Sequence, residues 1–479
     1  MDRARLEVAS RRESGHWLHA FPSASTGTFL SAEIIRIAAG LRLGVPDCSP
    51  HRCPYGKDVS ALGHRGLSCQ LSADLSPILR FRISGSGKND HPQKYFVKKI
   101  CDILFYFGTG NCWYEERNLT TIQQYIYYVY AIILNVYLIG NLINEFLAKL
   151  RTDLTMKEKN DLTHSLLGHS FLYCKIVMLY LMKRRIKVLL KRFFEEKREF
   201  ACLDLDEESV KTAKKYCALM VGIVYFTVFA ATVDGIKMHL TYGIPIRTEI
   251  LLYPTPAHSG LFINILRFLA ELHWWYGVTI MISVDCICVC FLVFTGYRFR
   301  TLRVYFEELG QKYQKDAGGN LDVLEEKYIK DFERGILFHK EILWCTRYVQ
   351  YALGNLYSAQ VVECIVLLVI CLIKIVKLEG SITSQFANLS YIICLVLLTG
   401  AYMMSAGDIS CEAEMIPTAI FHSGWELTKL SKKIRHLFIM TLICSQVPVC
   451  MTAFGIMVLS YNNFIMVLRS SYSFFAVMY

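Results

Sequence analysis

The sequence predicts an all-α membrane protein with seven transmembrane helices, the N-terminus inside the cell, a cytoplasmic helical anchor region and a split last helix. Three observations support this prediction. The 479 residues are 53% hydrophobic and 19% charged, with a mean hydropathy of +0.32. Seven apolar stretches are long enough, or nearly so, to cross a bilayer. Basic residues gather in two of the connections, as they do in cytoplasmic loops.

Residues 1–90 differ from the rest because they are rich in Arg, Ser, Gly, Pro and His and have no helical period. Their one apolar run is interrupted by Glu33 and Arg36. It also starts late for a signal peptide and has no good small-residue cleavage site. We therefore expect either a disordered tail or an extension that is not native to the fold, and a folded domain over 91–479.

The apolar stretches of the folded domain approach or reach the ~20 residues that a helix needs to cross the hydrocarbon core. The predicted spans are 125–144, 165–182, 216–236, 274–297, 357–376, 386–406 and a composite region, 436–479. Pro448 and the polar run "SYNN" interrupt the composite region, because proline cannot donate a helix hydrogen bond. It therefore divides into a half-helix and a terminal spanning helix over 460–479, which we expect to end where the membrane ends.

Loop charges predict the orientation of these spans. The segment 183–215 contains eleven Lys and Arg residues, and 298–350 contains ten. By contrast, 237–262 contains two and 377–385 contains one. The positive-inside rule places both basic segments in the cytoplasm, so the N-terminus lies inside and the C-terminus outside. The helical pattern of 298–350 predicts that spans continue into a cytoplasmic bundle.

Signatures of catalysis are missing from the sequence. It has no G-x-S-x-G, H-E-x-x-H or Walker pattern. His164 and His169 are five residues apart, which points them to different faces of a helix rather than to one metal ion. The 18 cysteines are scattered through apolar segments without CxxC pairs. We expect no enzyme activity, no cofactor and no metal. The net charge of +11 lies in loops, so we expect contact with the lipid bilayer and not with nucleic acid.

Asp285 lies within the fourth predicted span, where an acidic residue is costly and is a functional candidate by default. Two interpretations stay open. Asp285 either bonds to a neighbouring helix near the cytoplasmic end, or acts directly in gating or ion passage.

The C-terminal quarter of the chain resembles the end of insect odorant receptors. The matching features, in order, are Gly407 with the acidic stretch around it, "AIFHSGW" with Trp425, a basic amphipathic helix, "SQVP" with Pro448, "TAFGIMVLSYNNF" and "SYSFF". A weaker likeness covers the rest of the folded domain and includes "FGTGNCW", "YPTP", Asp285 and His339. We expect these five numbered residues to be structural.

This resemblance implies a ligand-gated cation channel in the plasma membrane of olfactory sensory neurons. Receptors of the family form tetramers, usually with a shared co-receptor, and the last helix of each subunit lines a central pore. The regions 298–350 and 410–447 would hold the subunits together. A small volatile odorant would enter a pocket in the outer half of spans two, three, four and six.

Aromatic residues at the depth of this pocket are the ligand candidates, since small volatiles bind mainly by burial of apolar surface. Each of them could instead belong to the core or to the interfacial belt. The candidates are His169, Tyr173, Tyr225, Phe229, Trp274, Trp275, Phe386 and Tyr391.

The last helix supplies the pore candidates. Val477 matches the position where the family's pore narrows, and an apolar ring there could close the channel by dewetting. Arg469 would face a wet vestibule or snorkel. Ser470, Phe474 and Met478 complete the candidate set. Packing against lipid is the alternative for each residue.

Three other classes are disfavoured. A gustatory receptor shares the architecture, but such receptors usually end in a different motif, which has a Gln-Phe pair. A G-protein-coupled receptor has the opposite orientation, and no "DRY" or "NPxxY" occurs. A secondary transporter would show paired broken helices in two related halves, and the sequence has no internal repeat.

Overall fold

The structure is a computed structural model that describes residues 92–115, 117, 119–195, 202–243, 249–315, 321–376, 382–429 and 431–478. The predicted N-terminal extension over 1–90 lies outside the described residues. The described part of the chain is helical except for one short hairpin and the connecting loops.

Nine α-helices and two very short strands make up the described ranges. They are α1 (Pro92–Tyr106), α2 (Thr121–Leu147), α3 (Met156–Glu195), α4 (Leu203–Tyr242), α5 (Leu261–Lys315), α6 (Leu321–Val376), α7 (Ile382–Phe421), α8 (Lys432–Ser445), β1 (Thr452–Ala453), β2 (Met457–Val458) and α9 (Tyr461–Met478). Single turns of 3₁₀-helix follow α2 at Ala148–Leu150 and α7 at Trp425–Leu427.

Each of the first six predicted spans lies within one helix, α2 to α7, and all six helices are long and apolar enough to cross a membrane. These six predictions are confirmed. Helices α5 and α6 contain 55 and 56 residues. At 1.5 Å per residue each is about 80 Å long, more than twice the ~30 Å hydrocarbon core. The spans therefore continue far beyond the bilayer as unbroken helices.

Helix α5 forms the centre of the bundle, because nearly every side chain between Ile280 and Phe299 is buried. It packs against α3, α4, α6 and α7. Helix α2 is peripheral, and in it only Leu138 and Glu145 are buried. A helix with so much exposed apolar surface requires lipid or a partner around it.

Local sequence signals explain several helix ends. The Thr120 hydroxyl accepts a hydrogen bond from the Gln123 backbone N–H, and the Gln123 side-chain oxygen accepts one from the Thr120 N–H, which forms a capping box for α2. Gly243 ends α4 with a φ of 66°, a left-handed conformation that favours glycine. Ser431 caps α8 through the Ile434 N–H.

The composite last region is split, as predicted, but the connection between its two helices differs from expectation. Helix α8 ends at Ser445, before Pro448, and α9 begins at Tyr461, within "SYNN". Between them β1 and β2 pair as a hairpin whose tight turn places Phe454 and Gly455 at φ 56° and 70°. Two-residue strands are too short to show a sequence period, so the pattern gave no sign of them.

Candidate functional site

A cavity of about 450 Å³ lies among α3, α4, α5 and α7, at the end of the bundle next to the α4–α5 loop. Its volume lies within the range of small-molecule sites, about 300–1,000 Å³. These four helices contain the second, third, fourth and sixth predicted spans. Non-aromatic apolar side chains form most of its apolar wall: Leu172, Val224, Val228, Ala231, Ile250, Val278, Met281, Leu395 and Leu398.

Three of the eight predicted ligand candidates line this cavity: His169, Trp274 and Tyr391. The His169 and Trp274 rings meet edge to face, with centroids 4.9 Å apart. Tyr391 has a similar contact with His164, which also lines the cavity. His164 and His169 thus reach the cavity from different faces of α3.

The other five candidates lie outside the cavity wall. Tyr173 bonds to His273 and to the Leu138 carbonyl, behind His169. Tyr225 stacks on Trp275 at 5.9 Å, beside the cavity. Two phenylalanines sit on the exposed surface of the chain, at Phe229 and Phe386.

One end of the cavity is polar, which the sequence analysis did not anticipate. His169 Nδ1 lies 2.6 Å from the Glu145 carboxylate, and its Nε2 lies 3.5 Å from Glu249 Oε1. His273 Nδ1 lies 3.6 Å from the same Glu249 oxygen. All four side chains are buried. We name Glu145, His169, Glu249 and His273 the polar end of the cavity; His169 and Glu249 line it, and the other two contact them from outside its wall.

Glu249 occupies an unusual position for a carboxylate, because it is in the loop before α5 and yet is 94% buried, with 6% of its surface exposed. Burial opposes its charged form, but the positive potential of the His169 and His273 rings outweighs this and lowers the pKa of its carboxyl below the usual value. The polar end therefore holds an ionised carboxylate against a cavity whose wall surface is mainly apolar.

A second buried polar group lies deeper in the bundle and is centred on Lys175 of α3. Its Nζ lies 3.2 and 3.3 Å from the two Asp285 oxygens of α5 and 2.7 Å from Glu363 Oε2 of α6. It also donates to Gln360 Oε1 at 2.5 Å. The Tyr402 hydroxyl of α7 donates to Asp285 at 2.7 Å. We call these five residues the Lys175 network.

The Lys175 network gives Asp285 partners on two neighbouring helices, Lys175 of α3 and Tyr402 of α7. Its partners were missed, although a signal for them exists. Lys175 and Glu363 fall within the predicted spans 165–182 and 357–376 and are themselves charged residues at membrane depth. Glu363 also lines the cavity, so the network touches its wall.

The pore candidates lie on the exposed side of α9. Val477 is 87% exposed and Phe474 is 63% exposed, and Arg469 and Ser470 are exposed as well. Met478 ends the helix, and its side chain lies outside the described part. The opposite side of α9 packs on α6 and α7 through Phe464, Val467 and Ser471.

Two of the remaining expected structural residues, Gly407 and Trp425, make contacts between helices. Gly407 lets α7 approach α9, since a Cβ there would lie 3.0 Å from the Tyr461 ring. Trp425 stacks on Phe438 at 4.4 Å and donates to the Phe421 carbonyl, which joins α8 to the end of α7. His339 is buried in α6. Pro448 is exposed in the connection after α8.

Comparison with known proteins identifies the chain. The family model described as 7tm odorant receptor matches residues 155–472. The fold is similar to the insect olfactory receptor OR5 from Machilis hrabei, in two solved structures, one of them in complex with eugenol. Each of the two structures matches this chain with a TM-score of 0.66 and 12% sequence identity. Each match covers 81% of this chain and 99% of the Machilis hrabei receptor chain. A search of curated proteins found no match.

The family match covers well over half of the chain, and the structural similarity shows the same fold at low identity. The matched family consists of odorant receptors and not of enzymes. The chain is a multi-pass membrane protein and belongs to the insect odorant receptor family.

Proposed function

We propose that this odorant receptor is the tuning subunit of a ligand-gated cation channel and that the cavity among α3, α4, α5 and α7 binds a small volatile odorant. The observation that carries the proposal is this mainly apolar cavity of about 450 Å³ with His169, Trp274 and Tyr391 in its wall. Burial of apolar surface would supply most of the binding free energy. The eugenol complex of the Machilis hrabei receptor supports a ligand of this size and kind.

The proposal includes seven spans with the N-terminus in the cytoplasm, where α9 is the seventh. Helix α9 has 18 residues and is therefore about 27 Å long, close to the thickness of the hydrocarbon core. The basic segments 183–215 and 298–350 support this orientation. The domain boundary belongs to the proposal as well: a receptor domain over 91–479 and a dispensable extension over 1–90.

The exposed side of α9 is the proposed pore surface. It presents Ser470, Phe474 and Val477 away from the subunit's own core. Such a surface suits either a pore or lipid, and the polar residues Arg469 and Ser470 favour the wet environment. We place the apolar constriction at Val477.

The proposed assembly is a heterotetramer with the shared co-receptor, in the plasma membrane of olfactory sensory neurons. The regions 298–350 and 410–447 would form the contacts between subunits on the cytoplasmic side. Long helices that extend beyond the bilayer, as α5 and α6 do, provide the surface for such contacts.

Co-expression with the co-receptor and whole-cell recording under an odorant panel tests the proposal. We expect an odorant-evoked cation current that needs both subunits. Replacing Val228 in the cavity wall with Trp should fill the cavity and abolish the response. The control Val177→Trp, on the exposed side of α3, should leave it unchanged. Responses that survive Val228→Trp at full size would contradict the cavity as the odorant site.

A further inference from the structure

We propose that the cavity selects odorants that carry one hydrogen-bond-donating head group, an alcohol, phenol or amine, and that Glu249 accepts that hydrogen bond. This inference rests on the proposed function, in which the cavity is the odorant site. It names the chemical class of ligand that the polar end of the cavity recognises.

The first argument is the state of the Glu249 carboxylate. Neither of its oxygens accepts a hydrogen bond from the residues that the structure describes. The nearest nitrogens, His169 Nε2 and His273 Nδ1, lie 3.5 and 3.6 Å from Oε1. Both distances exceed the usual N–H···O range of about 2.7–3.2 Å. These two imidazoles therefore pair with the carboxylate at long range and leave its oxygens as open acceptors, so a ligand that supplies a donor gains free energy there.

The second argument is that the two nearest imidazoles are held elsewhere. His169 is shared between two carboxylates and lies closer to Glu145, at 2.6 Å, than to Glu249. His273 Nε2 bonds to the Tyr173 hydroxyl, and its Nδ1 stays 3.6 Å from Glu249. Glu249 therefore keeps acceptor capacity for a ligand, and a carboxylate forms a strong hydrogen bond with a hydroxyl or an ammonium group.

The third argument is that the rest of the cavity fixes the remainder of the ligand. Beyond the polar end, most of the wall surface is apolar. The other acids that line the cavity already have partners: Glu158 bonds to Thr155, Asp161 to Lys374, Asp234 to Thr383 and Glu363 to Lys175. A ligand with one donor and an apolar body would match both parts. Water can also donate to Glu249, so a ligand that displaces it without a donor of its own loses that hydrogen bond.

Calorimetric titration of the full chain in lipid nanodiscs tests the inference with three compounds that share one skeleton: phenethyl alcohol, phenethylamine and phenethyl methyl ether. The ether keeps the oxygen and the apolar body but has no donor. We expect the alcohol or the amine, or both, to bind about tenfold or more tightly than the ether, as is typical when a hydrogen bond to a charged acceptor is lost.

Two variants of Glu249 then separate the sources of this preference. Glu249→Met keeps the length of the side chain without an acceptor and should bring all three affinities within about twofold of one another. Glu249→Gln keeps a neutral acceptor, so it should weaken the amine strongly if an ammonium is the natural head group, and leave the alcohol less affected. The control Asp204→Asn removes an exposed acid in the first turn of α4, outside the cavity wall, and should preserve the wild-type preference.

Equal affinities of the wild-type chain for the three compounds, or no binding of any of them, would overturn the inference even if both Glu249 variants fail to fold. An unchanged preference in a folded Glu249→Met protein would overturn it as well. Odorant-evoked currents distinguish this failure from failure of the proposed function. Odorant-evoked currents without a preference for donors would contradict this inference but not the proposed channel function. Donor-selective binding without any current would contradict the channel function but not this inference.

Discussion

Lys175 is a fully buried cation at the centre of a network that joins four helices. Its ammonium group lies next to two carboxylates, Asp285 and Glu363, and also donates a hydrogen bond to Gln360. Such a buried network adds little net stability compared with apolar packing, but removal of one partner leaves the others uncompensated. The bonds of the network connect α3, α5, α6 and α7 beside the cavity wall and so fix the positions of these helices relative to one another.

Replacement of Lys175 by Met should therefore destabilise the receptor by about 3–5 kcal/mol, since two acids remain buried without their cation. Thermal unfolding of the detergent-solubilised protein measures this loss. The control Lys191→Met changes an exposed lysine on the same helix and should stay within about 0.5 kcal/mol of the wild type. In the double variant with Asp285→Asn, the loss should be smaller than the sum of the single losses. A Lys175→Met protein that unfolds like wild type would show that the network carries no such energy.

Asp285 and Lys175 also show what could be predicted at individual positions. A charge within an apolar span is visible in the sequence, and Asp285 was recognised on that ground. The same rule applies to Lys175 and Glu363, so these were predictable. The role of Glu249 was not predictable, because this residue lies outside the predicted spans and lines the cavity only in the folded bundle. No local pattern indicates such a tertiary contact.

Close approaches between helices decide how the bundle is assembled. Gly310 of α5 lies against the end of α7, where a Cβ would come within 2.2 Å of the His422 carbonyl oxygen. The contacting atom belongs to the backbone, so it cannot rotate away as a side chain would. Gly407 likewise allows α7 to lie close to α9, because a Cβ there would come within 3.0 Å of the Tyr461 ring.

Gly310→Ala should consequently force the two helices apart and cost about 1–3 kcal/mol, the usual range for overpacking. Gly222→Ala is the matched control, because nothing lies within 4 Å of its added Cβ. There, the better helix propensity of alanine should raise stability by about 0.5–1 kcal/mol. Midpoints of thermal unfolding measured side by side give the comparison. Equal midpoints for the two variants would argue against a close contact at Gly310.

The helices themselves were largely predictable, since a run of about 20 apolar residues can satisfy its backbone in lipid only as a helix. The hairpin before α9 was not. Its strands depend on α6, where Gln350 bonds to both the N–H and the carbonyl of Thr452 and the Ser358 hydroxyl accepts from the Phe454 N–H. These bonds come from residues about a hundred positions away, which no window of sequence contains.

Orientation is a property of the whole chain, and loop charge predicts it. An epitope tag between Ala257 and His258, in an exposed part of the α4–α5 loop, should be stained on intact cells. A tag placed in 316–320, between α5 and α6, should be stained only after permeabilisation. The opposite staining pattern would place the N-terminus outside the cell and would contradict the proposed orientation.

The central claim is that this subunit contributes α9 to a pore that narrows at Val477. Reversal potentials of odorant-evoked currents, recorded under bi-ionic conditions at verified surface levels, test it most directly. We expect Val477→Ser to wet the constriction and to change cation permeability or raise basal current, and Val477→Lys to repel cations and reduce conductance. Val177→Ser, an exposed valine on α3, should match wild type. Reversal potentials and conductances that stay identical for wild type and both Val477 variants would contradict the claim.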